Sequence, residues 1–300
     1  MLFFALFIFI SSCAKLIVPD DKEKETDDVI IIPHLGGIES LEIMTWNIEN
    51  FPKSGSRTID RVAQVLDSIH ADIYCLQEIT DRNALDQVVA QLDGYRVIHD
   101  EDSYMIHLAI VYNSEFVYPT DTTLLFDRDD YYFASRPPLK VDFQSLTTDS
   151  IVYDFSVINL HMKCCGETSD IYRRHEASQL LHDYVVDEIA RGDTNILILG
   201  DWNDDFTDPD SSGRTSFESL LLDPDVGHYA TWNLANSSSN YYDSYPGWPS
   251  FIDHIYISNA LFNEESNSQV KCLRLDDYFS DYDAILSDHR PVGIIFEPIP

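Results

Sequence analysis

The first part of the chain alternates short apolar runs with segments of helical periodicity. Runs starting at Ile43 and covering Asp72 to Leu76 predict buried strands, because short apolar stretches bounded by turns are typical of strands covered on both faces. Elsewhere, apolar residues recur every three or four positions, which predicts two amphipathic helices. The first is marked by Ile59, Val62, Leu66 and Ile69, and the second by Leu85, Val88, Val89 and Leu92, before a stop at Gly94.

From Tyr95 to Leu160 the pattern changes to short β segments without clear helices, which predicts antiparallel hairpins. These segments are 95–98, 107–112, 139–143 and 151–160. A long helix is predicted next and stops near Gly192. Its apolar face carries Ala177, Leu180, Leu181, Tyr184, Val185 and Ile189.

The apolar run Ile196–Leu199 ends at a glycine and is followed by Asp201 and Asn203, which predicts a buried strand that delivers polar side chains to its end. Residues 203–249 are rich in Asp, Ser, Asn and Pro and predict long loops with a short helix near 217–222. Late strands are predicted over 251–257 and 292–296. Together these elements indicate an α/β (α+β) fold with two sheet layers covered by helices.

The amino terminus predicts export. Residues Leu2–Ile10 are apolar and precede Ser11-Ser12-Cys13, a pattern similar to a bacterial lipobox, although no basic residue precedes the apolar run. We therefore expect residues 1–13 to be a lipoprotein-type signal segment and Cys13 to anchor the protein to a membrane of the bacterial cell envelope; an uncleaved apolar start is the alternative. Residues 14–38 predict a flexible tether, and 39–300 a single catalytic domain, expected to be a monomer.

The net charge argues against duplex nucleic acid as a partner, and the sequence leaves the disulfide pairing of the cysteines open. The chain has 52 acidic and 19 basic residues in 300 and a net charge of -33, which disfavours a sequence-independent grip on duplex nucleic acid. A local basic track, from Arg136, Lys163, Arg173 and Arg174, stays open. Among the cysteines, Cys75 predicts a core residue. A bond from Cys164 or Cys165 to Cys272 is conceivable, and no spacing indicates a zinc site.

Polar segments flank the predicted strands in a recurring way. In chain order they contain Asn47 and Glu49, Glu78, His161, Asp201 and Asn203, Asp253, and Asp288 and His289. Each alone is a weak signal, because an Asp at a strand end is more often a turn or cap. Together the segments Thr-Trp-Asn, Leu-Gln-Glu, Asn-Leu-His, Gly-Asp-Trp-Asn, Ile-Asp-His-Ile and Ser-Asp-His-Arg-Pro resemble the motifs of the endonuclease/exonuclease/phosphatase superfamily, in order and from about Leu41 onward.

The resemblance implies a four-layer α/β sandwich: two packed mixed β-sheets flanked by helices, with the active site at one edge between them. It also implies a phosphoester hydrolase. Such chemistry needs a divalent cation, an activated water and donors for the developing negative charge. We expect Mg²⁺, with Mn²⁺ or Ca²⁺ as alternatives. By resemblance Glu78 is the chief metal ligand, with Asn47 beside it and Asp288 contributing.

The resemblance implies roles for the remaining polar residues. His289 would pair with Asp253 and take a proton from the attacking water; alternatively, Asp201 orients or deprotonates that water while His289 binds the phosphate. Asn203 and His161 would donate hydrogen bonds to the scissile phosphate, with His161 also a candidate acid near the leaving group. For Arg136, a contact to phosphate and a surface salt bridge are equally open.

The substrate is predicted only broadly, because the same set of catalytic residues can act on many different phosphoesters. We expect a secreted nuclease first, since the segment Trp46–Phe51 is most similar to the bacterial nuclease branch. A phosphatase or a sphingomyelinase-like phospholipid phosphodiesterase is the alternative, for which Tyr241–Trp248 could supply exposed aromatics, although we expect that stretch to pack as a loop. A catalytically inactive surface binding module is a third hypothesis. It predicts losses among the catalytic residues, and none is missing.

Overall fold

Two β-sheets stacked face to face form the centre of the fold. The computed structural model describes residues 32–37, 40–101, 106–147, 150–192, 194–206 and 215–297. The described strands are β1 (Leu41–Phe51), β2 (Ile73–Ile79), β3 (Tyr95–His99), β4 (His107–Asn113), β5 (Val117–Leu124), β6 (Leu139–Thr147), β7 (Ser150–His161), β8 (Ile196–Asp201), β9 (Gly227–Tyr229), β10 (Asp253–Ser258), β11 (Gln269–Cys272) and β12 (Val292–Phe296). The helices are α1 (Ser56–Ile69), α2 (Arg82–Val89), α3 (Thr168–Arg191), α4 (Glu218–Leu221), α5 (Trp232–Ala235), α6 (Phe262–Glu265) and α7 (Tyr282–Ile285).

Both sheets are mixed. In the described chain the first has six strands in the order β11-β12-β1-β2-β4-β3, and the second has six in the order β5-β6-β7-β8-β10-β9. Parallel pairing occurs between β1 and β2 and between β7 and β8. The hairpins predicted between residues 95 and 160 are confirmed, because β3–β4, β5–β6 and β6–β7 pair antiparallel.

Apolar side chains fill the space between the sheets. This core includes Ile43, Ile73, Cys75 and Ile110 from the first sheet and Val141, Val157, Leu197, Leu199 and Ile255 from the second. Cys75 is fully buried, as the sequence predicts. Ala177, Leu181 and Val185 of α3 pack on the outer face of the second sheet. On the outer face of the first sheet, the Tyr74 hydroxyl donates to the Leu66 carbonyl of α1 at 2.7 Å. The predicted four-layer sandwich is therefore confirmed.

Some boundaries differ from the sequence predictions. Helix α2 ends at Val89, and Leu92 is buried in the turn that follows. Helix α3 begins at Thr168, where Glu167 and Asp170 form a capping box, and it ends at Gly192 as predicted. The short helix α4 confirms the helix near 217–222.

Residues 32–37, the described part of the segment 14–38, lie against the domain. Ile32 and Leu35 are buried, and the backbone N–H of Leu35 donates to the carbonyl of Ile69 at 2.9 Å. Residues 1–31, with the predicted signal segment and Cys13, lie outside the described residues. No helix in the described part of the chain is long and apolar enough to cross a membrane.

Candidate active site

Strand register brings three of the predicted catalytic residues into one row. His161 at the end of β7 is paired with Asp201 at the end of the parallel strand β8, and Asp201 is paired with Asp253 at the start of the antiparallel strand β10. All three are buried. The apolar runs that form these strands therefore fix the polar row at one edge of the second sheet.

Gly200 makes this row possible. A Cβ atom at this position would lie 2.0 Å from the backbone carbonyl oxygen of Leu160 on the neighbouring strand, so no larger residue fits. Trp202, on the other side of Asp201, points away from the row and is fully buried, and its indole N–H donates to the His254 carbonyl at 3.0 Å. This confirms that Trp202 packs.

The first sheet contributes Asn47 and Glu78 to the same place. Asn47 is paired with Gln77 in the parallel register of β1 with β2, and its side-chain amide donates to Oε1 of Glu78 at 3.2 Å and to Oδ2 of Asp201 at 2.9 Å. Oδ1 of Asn47 accepts from the backbone N–H of Glu49. Asn47 thus joins the two sheets as a donor.

The loop before β12 carries His289 to the row. Nδ1 of His289 lies 2.9 Å from Oδ2 of Asp253, and Nε2 lies 3.9 Å from Oδ2 of Asp201. The Ser287 hydroxyl donates to the Asn47 carbonyl and accepts from the backbone N–H of His289, so the loop is held against β1. Oδ1 of Asp288 is 3.9 Å from Nε2 of His289.

The electrostatics of the site separate its two histidines. Burial alone would lower the pKa of His289, but the charges of Asp253 and Asp201 outweigh burial and raise this pKa to about 10. His161 lies 3.4 Å from Oδ2 of Asp201, but burial, followed by the charges of Arg136 and His289, holds its pKa well below the usual value. At neutral pH His289 is therefore a cation and His161 is neutral.

Asp201 is the carboxylate at the centre of the site. Burial raises its pKa to about 7, against the opposing charge of His289, and Asp253 adds to the rise. Its Oδ1 accepts from the backbone N–H of Asn203 at 2.9 Å, and its Oδ2 lies 3.4 Å from Nε2 of His161. A carboxyl group with such a pKa can exchange a proton near neutral pH.

Asn203 and Arg136 bracket the loop that follows β7. The side-chain amide of Asn203 donates to the Met162 carbonyl at 3.1 Å. Arg136 donates to the carbonyls of His161 and Met162 at 3.1 and 2.8 Å. These two bonds hold the guanidinium group of Arg136 against the loop, and a contact to phosphate stays a prediction.

Two groups of side chains could hold a divalent cation. Asp201, Asp253 and His289 have ligand atoms within 4.8 Å of one another. However, Nδ1 of His289 is occupied by Asp253, and a cationic imidazole has no lone pair for a metal. The second group is Glu78 with Asp288. Burial raises the pKa of Asp288, and the charge of Glu78 adds to the rise. Oδ1 of Asp288, like Oδ1 of Asp253 in the first group, is a buried oxygen without a hydrogen-bond partner among the described residues, which fits a cation that prefers oxygen ligands.

Unusual backbone conformations concentrate at this site. Glu49, Asn50, Glu78 and Asn203 have φ angles of 34°, 48°, 62° and 57°. Residues other than glycine adopt positive φ at a cost, and such positions cluster where structure positions functional groups.

Several supporting residues were not predicted from sequence. Ser244 accepts from the backbone N–H of Asp253 at 3.1 Å, and the Tyr245 ring lies 4.9 Å from the His289 ring. Behind the loop after β8, Arg174 is buried and pairs with Asp204 at 2.8 Å. The only sequence signal for Ser244 and Tyr245 is their place in a long loop.

The aromatic stretch 241–248 is less packed than expected. Tyr241 and Trp248 are 55% and 77% exposed, whereas Tyr245 is half-buried against His289. Tyr242 is exposed as well, at 38%, so the packed-loop interpretation is wrong for these three rings.

The sequence matches the model of the endonuclease/exonuclease/phosphatase family over residues 44–289, and the chain belongs to this family. A family protein from Bacteroides thetaiotaomicron of known structure is 20% identical, with a TM-score of 0.59 over 87% of this chain and 99% of that chain. A mannosyl-6-phosphatase from the same organism is 19% identical, with a TM-score of 0.59 over 85% and 98% of the two chains.

A similar structure also comes from an animal protein. Truncated TDP2 from Caenorhabditis elegans is 16% identical, with a TM-score of 0.62 over 88% of this chain and all (100%) of that chain. At these identities the likeness shows the fold alone. No curated protein matches the sequence significantly.

Proposed function

We propose that this chain is a divalent-metal-dependent phosphoester hydrolase in which Asp201 takes a proton from the attacking water and cationic His289 binds the phosphoryl oxygens. The observation that carries the proposal is the ion pair of His289 with Asp253, 2.9 Å between Nδ1 and Oδ2, set beside the buried carboxylate of Asp201. This arrangement places a fixed cation next to a base, which is what attack on an anionic phosphoester needs.

The ion pair favours one of the two proton routes. A protonated imidazole cannot accept a further proton, so His289 acts as a hydrogen-bond donor and a charge for the phosphoryl group. Asp201, with its pKa raised to about 7, is ionised in a large fraction of molecules at neutral pH and can accept the proton of water. Neutral His161 and Asn203 suit donation of hydrogen bonds to phosphate, and the low pKa of His161 disfavours its use as an acid.

Glu78 and Asp288 are the residues we propose to hold the cation, with Asn47 beside them. When bound, a divalent cation neutralises charge on the phosphoryl oxygens and polarises the ester. Glu78 accepts from Asn47 and from the backbone N–H of Asn50, which orients both of its carboxylate oxygens. Mg²⁺ is the first choice, because these ligands are all oxygens.

The basic side chains near the site are already engaged within the protein, which favours a small substrate over a nucleic-acid polymer. The four residues of the predicted basic track all form contacts within the protein. Arg136 donates to two backbone carbonyls, and Arg173 donates to the Tyr131 carbonyl. Lys163 pairs with Asp170 at 3.2 Å, and Arg174 pairs with Asp204. Duplex binding rests on phosphate contacts along the strand, and a chain of net charge -33 offers few. We therefore propose a small phosphoester, such as a sugar phosphate, as the substrate. The name of the mannosyl-6-phosphatase with a similar fold indicates an ester of this kind.

A nuclease is the second candidate. This candidate is supported by the similarity of Trp46–Phe51 to the nuclease branch. It requires only that a single-stranded nucleic acid or a nucleotide can reach the site. A phospholipid substrate is favoured by one observation, the exposure of Tyr241 and Trp248.

Hydrolysis of a substrate panel tests these alternatives. Mannose 6-phosphate, inositol phosphates, bis-p-nitrophenyl phosphate, plasmid DNA, RNA and sphingomyelin are incubated with the full chain under Mg²⁺, Mn²⁺ or Ca²⁺, and Glu78→Ala and His289→Ala serve as controls for a contaminating activity. The expected result is cation-dependent turnover of a small ester with plasmid intact. Plasmid cleavage without turnover of small esters supports the nuclease instead. If every substrate survives under every cation, the hydrolase proposal is wrong.

Export and lipid anchoring at Cys13, with a monomeric domain held off the membrane, form a separate proposal. It is supported only by the apolar segment Leu2–Ile10 and the following Ser-Ser-Cys. Expression in a bacterium followed by membrane fractionation tests it. Cys13→Ala should move the protein from the membrane to the soluble fraction, and an unchanged distribution contradicts the anchor.

A further inference from the structure

Two neighbouring thiols lie in the loop between β7 and α3, close to the catalytic row. Cys164 and Cys165 are both exposed, and their Sγ atoms are 2.9 Å apart. Cys165 has a φ angle of 82°, a conformation that residues with side chains rarely adopt. The ammonium group of Lys163 lies 3.5 Å from the Cys164 sulfur.

The same loop is anchored to the buried side of the active site. The guanidinium group of Arg174 donates to the carbonyls of Lys163 and Cys165, each at 2.7 Å, while its other nitrogen pairs with Asp204 at 2.8 Å. Arg174 is buried, so these bonds are made out of contact with water. A change in the backbone at Cys165 therefore changes what Arg174 and Asp204 contact.

A second link runs from this loop to Asn203. The carbonyl of Met162 accepts from the Asn203 side chain and from Arg136, and the next residue toward the strand is His161. The loop thus contacts two of the three residues that we propose to bind the scissile phosphate, His161 and Asn203.

We propose that Cys164 and Cys165 form a reversible redox site, in which a small-molecule disulfide oxidises the pair to an intramolecular disulfide and the resulting shift of the loop lowers hydrolytic activity. The Cys164 thiolate attacks one sulfur of the small disulfide, whose S–S bond breaks and releases one thiol. The Cys165 sulfur then attacks the Cys164 sulfur and releases the second thiol, with the two protons of the cysteines passing to the two leaving groups. Two thiols are oxidised, and one disulfide is reduced to two thiols.

The geometry of adjacent residues suits a switch better than a permanent crosslink. Consecutive Cα atoms are about 3.8 Å apart, less than the usual span across a disulfide of at least about 4.4 Å. A bond between neighbours is therefore strained, and strained, exposed disulfides are the readily reduced ones. None of the cysteines at 75, 164, 165 and 272 is joined to another in the described chain.

Peptide mass tests the site independently of any enzymatic activity. The full chain is reduced, incubated with oxidised glutathione, alkylated without further reduction and digested with trypsin. The peptide Cys164–Arg173 contains both thiols and no other cysteine. We expect it unalkylated and lighter by two hydrogen atoms, and doubly alkylated after dithiothreitol. Full alkylation, a glutathione adduct alone or a link to Cys272 would overturn the proposal.

Hydrolysis tests the link to the site. Oxidation should lower turnover of the substrate found in the panel by roughly tenfold, the scale expected when a positioning group moves, and dithiothreitol should restore it. The double variant Cys164→Ser/Cys165→Ser should be active and insensitive to oxidised glutathione, while the matched variant Cys272→Ser should respond as the wild type. Formation of the disulfide with unchanged turnover contradicts the link, and thermal unfolding of the oxidised and reduced forms shows whether the loop shifts even if no substrate is found.

Discussion

The carboxylate of Asp253 lies 2.9 Å from Nδ1 of His289, and both side chains are buried at the edge of the second sheet. Burial of a lone imidazolium is costly, so the pair persists because each charge compensates the other. The consequence is a cation whose Nε2 faces Asp201, and the proposed chemistry depends on that charge.

Replacing Asp253 with Asn keeps the size of the side chain and removes the charge that holds His289 protonated. We expect kcat/KM to fall by roughly 10²- to 10⁴-fold, since the phosphoryl group loses a charged donor. The alkaline fall in activity, which follows loss of the His289 proton near pH 10 in the wild type, should move to lower pH. The pH dependence of kcat/KM measures both effects. Asp243→Asn, in the neighbouring loop, should keep the wild-type profile; an unchanged alkaline limb in Asp253→Asn would refute the role of the pair.

The acid limb of the same profile reports Asp201. Because its folded-state pKa is raised to about 7, the ionised form that accepts a proton is lost as the pH falls through that value. Activity should therefore drop about tenfold for each pH unit below the pKa of Asp201. A bound cation can only lower this pKa, which would move the acid limb to lower pH. Asp201→Asn should cost roughly 10²- to 10⁴-fold and abolish the limb. Retention of the limb in Asp201→Asn would assign it to another group.

Glu78 should govern cation binding. Thermal unfolding with increasing MgCl₂ is expected to show a rise in Tm, because a ligand that binds only the folded state stabilises it, by about 2.7 kcal/mol at a hundred times its Kd. In Glu78→Gln the rise should require a much higher MgCl₂ concentration. The exposed residue Glu115 supplies the control, since Glu115→Gln should follow the wild type. An equal response in both variants would remove Glu78 from the metal site.

A buried polar contact between the sheets should stabilise the fold behind the site. Asn159 of β7 donates to the carbonyls of Leu76 and Ala109 in the first sheet and accepts from the Gln77 amide at 2.7 Å. Asn159→Ala leaves these groups without partners and should lower the free energy of unfolding by about 2–4 kcal/mol in urea titrations. The exposed Asn267→Ala should change it by less than about 0.5 kcal/mol. A loss at Asn159 no larger than at Asn267 would show that water replaces the missing bonds.

The strands that build the site could be predicted because burial on both faces leaves a continuous apolar run. β2 and β8 are nearly or wholly buried and were evident from sequence. β5 was not, because it lies at a sheet edge, contains Pro119 and buries only Val117. Sequence alone does not show that β5 pairs with β6, and without that pairing its polar residues look like those of a loop.

The residues of the site, including the pair of His289 with Asp253, could be found from motif resemblance, but the choice of base and the supporting residues could not. The lowered pKa of His161 and the raised pKa of Asp201 come from burial in the packed fold. Arg174 illustrates the same limit: at a helix start it predicts a surface cation, whereas its pairing with Asp204 buries it. Such contacts are set by packing between distant segments, which local patterns do not encode.

The protonation state of His289 is the most direct test of the account. Nitrogen-15 NMR of the labelled chain, with no divalent cation added, distinguishes an imidazolium from a neutral ring, and the spectrum of His289→Gln assigns the signal. The prediction is that both ring nitrogens of His289 carry protons at pH 8 and that the ring titrates near pH 10. A His289 ring that is neutral at pH 8 would contradict the account and return the role of base to this histidine.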